Sequence, residues 1–112
     1  MRPQKVGAEL QRVLSEIIAR EVNDPRVGNV TLTAVDVAPD MKSARVYFVP
    51  FASQNPPEQV LQGLTRAGSF LRGEVSRRLG LRYTPRLDFL FDESIDRAAR
   101  LTGLIDKAVR KE

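Results

Sequence analysis

The sequence has no cysteine and no histidine. The first absence excludes disulfides and thiolate metal sites. The second removes the commonest general base and the commonest metal ligand, and with them most enzyme classes, so neither a catalytic residue nor a metal or cofactor site is expected. No apolar run approaches the roughly 20 residues that span a bilayer, and the opening residues MRPQKVGAEL lack the apolar stretch of a signal peptide. The expectation is a cytoplasmic protein with no membrane partner. Repeats, linkers and low-complexity stretches are missing too. What is present, 112 residues of which 42% are hydrophobic, is enough for one domain over 1–112 with one core.

Charge is unevenly spread. Lysine and arginine number 18 against 14 acids, a formal charge of +4, and the sequence pI is near 10.0. Between Leu64 and Arg86 stand six arginines (66, 72, 77, 78, 82 and 86) and one acid, Glu74. That segment nets +5 and the rest of the chain −1. A basic excess confined to one segment is the electrostatic footprint of a nucleic-acid surface, although a solvated helix face gives the same count.

Apolar spacing predicts the elements. Val6, Leu10, Val13, Leu14, Ile17 and Ile18 form one helical stripe, with Arg12, Glu16 and Arg20 four apart on a polar face. NDPRVGN stops that helix, because Pro25 disfavours a helical Asp24. NVTLTAVDV and ARVYFVPF read as a hairpin joined by APDMKS, with Ala44, Val46 and Phe48 on one face and a bulge at Ala34-Val35. Asn55 is the expected cap of the next helix, with Pro56 first inside it and Glu58 completing a capping box. That helix runs to a cap at Gly80 along Val60, Leu61, Leu64, Ala67 or Gly68, Leu71, Val75 and Leu79. RLDFLFD is a third strand, and Ser94 is the expected cap of a final amphipathic helix, IDRAARLTGLIDKAVRKE, whose end frays. The order predicts an α+β domain with helices on one face of a three-stranded sheet.

The long helix carries three glycines, Gly63, Gly68 and Gly73, each costing about 1 kcal/mol relative to alanine. On a helical wheel Arg66, Ser69, Gly73 and Arg77 face away from the apolar stripe. Small residues flanked by guanidinium groups let a phosphate backbone approach the helix while the arginines hold its oxygens. Phe70 does not fit the wheel. A break at Ala67-Gly68-Ser69 would reset the phase and let Phe70 join Leu71 in the core; otherwise Gly68 serves close packing on the sheet and Phe70 is partly exposed. The break is the expectation.

The turn DPRVG, the strand ARVYF, the segment AGSFLR and the stretch LRYTPRLDFLFDESI, in this order and spacing, resemble the ribosome-binding factor A family of bacterial small-subunit assembly factors over nearly the whole chain. The resemblance implies a type II KH-like fold in which the GxxG loop is replaced by a helix-kink-helix, commonly marked AxG; the corresponding triplet is Ala67-Gly68-Ser69, and no GxxG occurs. It further implies a non-catalytic protein that binds the immature small (30S) ribosomal subunit and its 16S rRNA and assists late maturation and 5′-end processing, with a link to cold adaptation. Ribosomal proteins and an assembly GTPase are the further partners it implies. The RNA surface carried over comprises Arg66, Ala67, Gly68, Ser69, Arg72, Gly73, Arg77, Arg78 and Arg82. Lys42 and Arg45 are candidate extensions, against the simpler account of a solvated hairpin. A monomer is the simplest state for so small a binder.

Three other functions compete. A generic KH-type binder of single-stranded RNA or DNA would grip unstacked bases with a flexible loop and rings such as Tyr47, Tyr83 and Phe51; the missing GxxG argues against it. An enzyme would use Asp92, Glu93 and Asp96, but acids at the start of a helix complement its dipole, and Asp36 and Asp40 fit a strand edge and a turn. A protein adaptor would use the basic helix on an acidic partner.

Overall fold

The computed structural model describes residues 3–50 and 55–94. Helix α1 (Pro3–Glu21) buries all six residues of its predicted stripe. It lies so close to the first strand that a Cβ on Gly7 would stand 2.6 Å from the Val35 carbonyl oxygen. Gln11 Nε2 also donates to the Leu32 carbonyl at 3.0 Å. On the outer face Arg12 pairs with Glu16 at 3.7 Å.

The DPRVG turn is built around Asp24. Its carbonyl accepts the Val27 N–H at 3.0 Å, and its carboxylate takes the Arg26 N–H at 2.9 Å and the guanidinium at 2.6–3.2 Å. The side-chain bond from Arg26, helped by the backbone N–H, lowers the Asp24 pKa from 3.8 to about 2. Gly28 closes the turn at φ +56°.

Strands β1 (Val30–Val37) and β2 (Ser43–Pro50) form the predicted antiparallel hairpin. The register slips between Leu32 and Ala34, so Thr33 is the extra residue, one place before the expected bulge. Strand β3 (Arg86–Phe91) pairs parallel with β2, from Ser43↔Arg86 to Phe48↔Phe91, which makes β2 the centre of a mixed sheet ordered β1-β2-β3. Ala44, Val46 and Phe48 are buried while Arg45 is exposed. Phe48 meets Phe91 edge-on, with centroids 6.2 Å apart.

Between β2 and β3 run α2 (Pro57–Arg66) and α3 (Gly68–Leu79). The start of α2 differs from the sequence expectation. Pro56, not Asn55, occupies the cap position, and because proline has no N–H the box with Glu58 cannot close. Asn55 instead donates to the carbonyls of Pro25 (2.8 Å) and Arg26 (3.1 Å), fastening the helix start to the DPRVG turn. Gly63 completes that junction, since a Cβ there would lie 2.6 Å from Val27 Cγ2. Gly80 caps α3 at φ +63° as predicted. At the other correction Asp92, not Ser94, takes the cap role by accepting the N–H and O–H of Ser94. The rest of the predicted last helix lies outside the described residues. One core joins all six elements. The order α-β-β-α-α-β on a mixed sheet agrees with a type II KH-like fold.

The surroundings of the glycines and of Asp24 set measurable outcomes. Gly63→Ala should destabilise by about 1–3 kcal/mol, because Val27 is buried and cannot yield, whereas Gly73→Ala, which meets nothing within 4 Å, should stabilise by about 1 kcal/mol; urea titrations read both, and equal signs would contradict the packing described. The lowered Asp24 pKa contributes stability that is fully present above pH 3.8 and is lost as pH falls through about 2. The stability gap between the parent and Asp24→Asn should therefore narrow over that window, and a gap independent of pH would show that the Arg26 fork stabilises nothing.

Candidate nucleic-acid interface

The break between α2 and α3 is a single residue. Ala67 has φ −79° and ψ −2°, yet its N–H still reaches the Gly63 carbonyl and its carbonyl still accepts from Leu71 at 2.9 Å. Leu64 and Leu71, seven residues apart on either side, are both fully buried. Seven residues are close to two helical turns, so the apolar stripe crosses the break in phase. The expected break is present, but it does not rotate Phe70 inward: that ring is 46% exposed.

Keeping the stripe in phase fixes what faces out. Arg66, Ser69, Gly73 and Arg77 are exposed along one ridge opposite Leu71 and Val75. The three glycines divide by environment. Gly63 is pressed on Val27, whereas a Cβ on Gly68 or Gly73 would meet no atom within 4 Å. Gly68 thus does not serve packing on the sheet, and at both positions the helix backbone is open to approach from outside.

The arginines divide too. Among the described residues no carboxylate lies within 4 Å of the Arg66, Arg72 or Arg82 guanidinium groups. Arg72 Nη2 donates to the Thr84 carbonyl at 3.2 Å, and Arg82 lies 5.8 Å from the Tyr83 ring centroid. Arg77 bonds Glu74, but its side chain is 68% exposed. Exposed pairs of this kind are worth about 0–1 kcal/mol, so Arg77 can exchange Glu74 for another anion. Arg78 is different: its side chain is 32% exposed and bridges Glu21 of α1 and Glu74 of α3, the latter at 3.4 Å. It clamps two helices together, with little capacity left for a ligand.

The hairpin candidates separate. Arg45 projects from β2 on the side away from the buried Ala44 and Val46, with Asp36 and Asp88 as register neighbours. Lys42 immediately precedes the strand, its carbonyl accepting the Arg86 N–H at 2.9 Å, next to the 80–85 loop that Arg72 holds. Lys42 is thus brought toward the basic helix and Arg45 is not. Arg86 is paired with Asp88 at 3.1 Å.

One feature escapes the sequence pattern. A shallow groove lies beside the break, its lining including Val22, Pro25, Arg26, Arg66, Ala67 and Phe70; it joins two segments far apart in the chain and has no local signal. Of the rings expected to serve a single-strand binder, Tyr83 is 79% exposed, more than any other large hydrophobic side chain among the described residues, Tyr47 is half-buried, and Phe51 lies outside the described residues. The carboxylates of the enzyme alternative have structural partners: Asp92 accepts the Thr33 hydroxyl as well as Ser94. Asp96 lies outside the described residues. Among the described residues no three His, Cys, Asp or Glu side chains gather to hold a metal ion, and no helix is long and apolar enough to cross a membrane.

Comparison with known proteins agrees with this arrangement. The family model described as ribosome-binding factor A matches residues 2–105. Ribosome-binding factor A of Azoarcus sp. (strain BH72) is 44% identical over 111 residues, covering 99% of this chain and 88% of that protein. The crystal structure of ribosome-binding factor A from Thermus thermophilus superposes with a TM-score of 0.71 at 34% identity, covering 80% of this chain and 93% of that one. Thermus thermophilus coordinates fitted into the cryo-electron-microscopy map of a 30S–ribosome-binding factor A complex give a TM-score of 0.66 at 34% identity, covering 78% and 91%. The chain belongs to the ribosome-binding factor A family.

Proposed function

We propose that the chain binds the immature small (30S) ribosomal subunit through its 16S rRNA and assists late maturation, including 5′-end processing, without catalysing a reaction. It would act in the cytoplasm as a monomer of one domain. The observation that carries this is the ridge of Arg66, Ser69, Gly73 and Arg77, in which two small residues, one of them the open Gly73, lie between two arginines. Such a ridge matches structured RNA by shape and phosphate. A folded RNA backbone can lie on the helix at Ser69 and Gly73 while Arg66 and Arg77 fork its oxygens from either side, with Arg72 and Arg82 extending the positive field toward the loop. Family membership and the 30S complex of the Thermus thermophilus relative support the choice of ligand.

Binding to purified small subunits should weaken steeply with salt, with a log–log slope of about −0.7 to −0.9 for each phosphate neutralised. Reversing Arg66→Glu with Arg77→Glu removes two charge-assisted contacts and adds repulsion, so affinity should fall about 100-fold or more; unchanged binding by the folded double variant would reject this surface. Gly73→Leu separates access from folding. It should leave the unfolding midpoint in urea no lower while cutting subunit affinity about tenfold, and full affinity would mean that RNA does not approach the helix there.

A further inference from the structure

The loop between α3 and β3 is held from both ends by α3. The Leu81 N–H bonds the Ser76 carbonyl at 3.2 Å and the Ser76 hydroxyl donates to the Leu81 carbonyl at 3.1 Å. On the far side Arg72 donates to the Thr84 carbonyl, Pro85 is buried, and the Arg86 N–H bonds the Lys42 carbonyl at 2.9 Å. Only Arg82 and Tyr83 lie between these fastenings. Both point into solvent, and the Arg82 guanidinium is within cation–π range of the ring. Among the described residues no carboxylate lies within 4 Å of the Lys42, Arg72 or Arg82 cations, and Asp88 is paired with Arg86. A mobile loop would scatter an exposed tyrosine over many positions. Here the backbone on each side is tied down, and an aromatic ring brings only two side-chain torsions to be fixed, so little ordering remains to be done on binding.

We propose that Tyr83 is a stacking platform for one unstacked RNA nucleobase, with Arg82, Arg72 and Lys42 supplying the positive field for the phosphates that flank it. This rests on the rRNA-binding function above and adds to its shape-and-phosphate contacts a site that takes a base. The neutral π-face of a ring beside uncompensated cations suits a nucleobase on a charged backbone. It would suit an acidic peptide less well, since such a peptide has no flat surface to offer the ring.

The test uses the full chain and purified small subunits. Tyr83→Ala should lose at least about fivefold in affinity, as stacking on one ring accounts for, while its salt slope and unfolding midpoint stay with the parent, because no charge and no buried surface is removed. Tyr83→Phe and Tyr83→Trp should bind like the parent. Replacing Tyr83 with p-azidophenylalanine should crosslink the chain to rRNA. A smaller loss in Tyr83→Ala overturns the platform, as does a Tyr83→Phe variant as weak as Tyr83→Ala, which would make the hydroxyl the contact. A reduced salt slope in Tyr83→Ala overturns it as well, by showing that the ring only places Arg82, and so does a crosslink confined to ribosomal protein. The Arg66→Glu, Arg77→Glu double variant run alongside separates the two proposals: if it loses binding and Tyr83→Ala does not, the phosphate ridge stands and the platform falls. A parent chain that fails to bind small subunits removes both.

Discussion

Everything presented by the basic helix depends on burying one stripe, Val60, Leu64, Leu71 and Val75, on both sides of Ala67 without a change of phase. Each fully buried aliphatic side chain contributes about 1.5–3 kcal/mol. Gly68 and Gly73 together cost the helix about 2 kcal/mol relative to alanine, which the stripe outweighs. The helix can therefore carry both glycines and leave Gly73 open on its outer side, because its stability comes from the inner one. A break that shifted the phase would have turned Phe70 inward and moved Arg66 off the ridge that holds Gly73 and Arg77.

Charge is divided along the same lines. The sole acid of the basic segment, Glu74, stands on the flank of α3 that meets α1, where with Glu21 it receives Arg78. That pairing is partly screened from solvent and joins two helices, so it acts on the fold. Round the helix from Arg78, Arg66 stands about 120° away and Arg77 about 100°, both toward solvent, where an ion pair contributes little and a guanidinium remains available to phosphate. Glu74 thus neutralises the arginine that clamps the helices and touches only lightly the one that faces out. The count of +5 over the segment overstates the charge offered to a ligand, but the part that is offered is concentrated on the ridge and the adjoining loop.

How much of this is legible in the sequence follows from the range of the interactions. The stripe of α1, the hairpin, the alternation of β2 and the Gly80 cap are set by neighbours within a few residues, and they are found where spacing and turn chemistry put them. The outward ridge was legible for the same reason. Long-range contacts were not. Asn55 has the composition of a helix cap, yet its amide is used 30 positions back on the DPRVG turn, and nothing near Asn55 reports that demand. Asp92 displaces Ser94 as the cap of the last helix while also accepting Thr33 from β1. Phe70 misled because a helical wheel treats every large apolar residue as one to be buried, whereas a surface that binds something can leave one out.

The glycines make the same point at its sharpest. In the sequence Gly63, Gly68 and Gly73 look alike, spaced five apart in one helix with equal propensity penalties. Only the folded chain separates them, by placing Val27 against the first and nothing against the other two. A glycine pressed on its own protein is explained by that protein. A glycine facing open space in a helix interior has no such internal explanation: alanine would fit and would stabilise the helix. Of these two, Gly73 is exposed on the ridge between Arg66 and Arg77, on the side where a phosphate backbone can reach the helix. The missing Cβ of Gly73 is thus better accounted for by what approaches from outside than by anything the chain packs against itself.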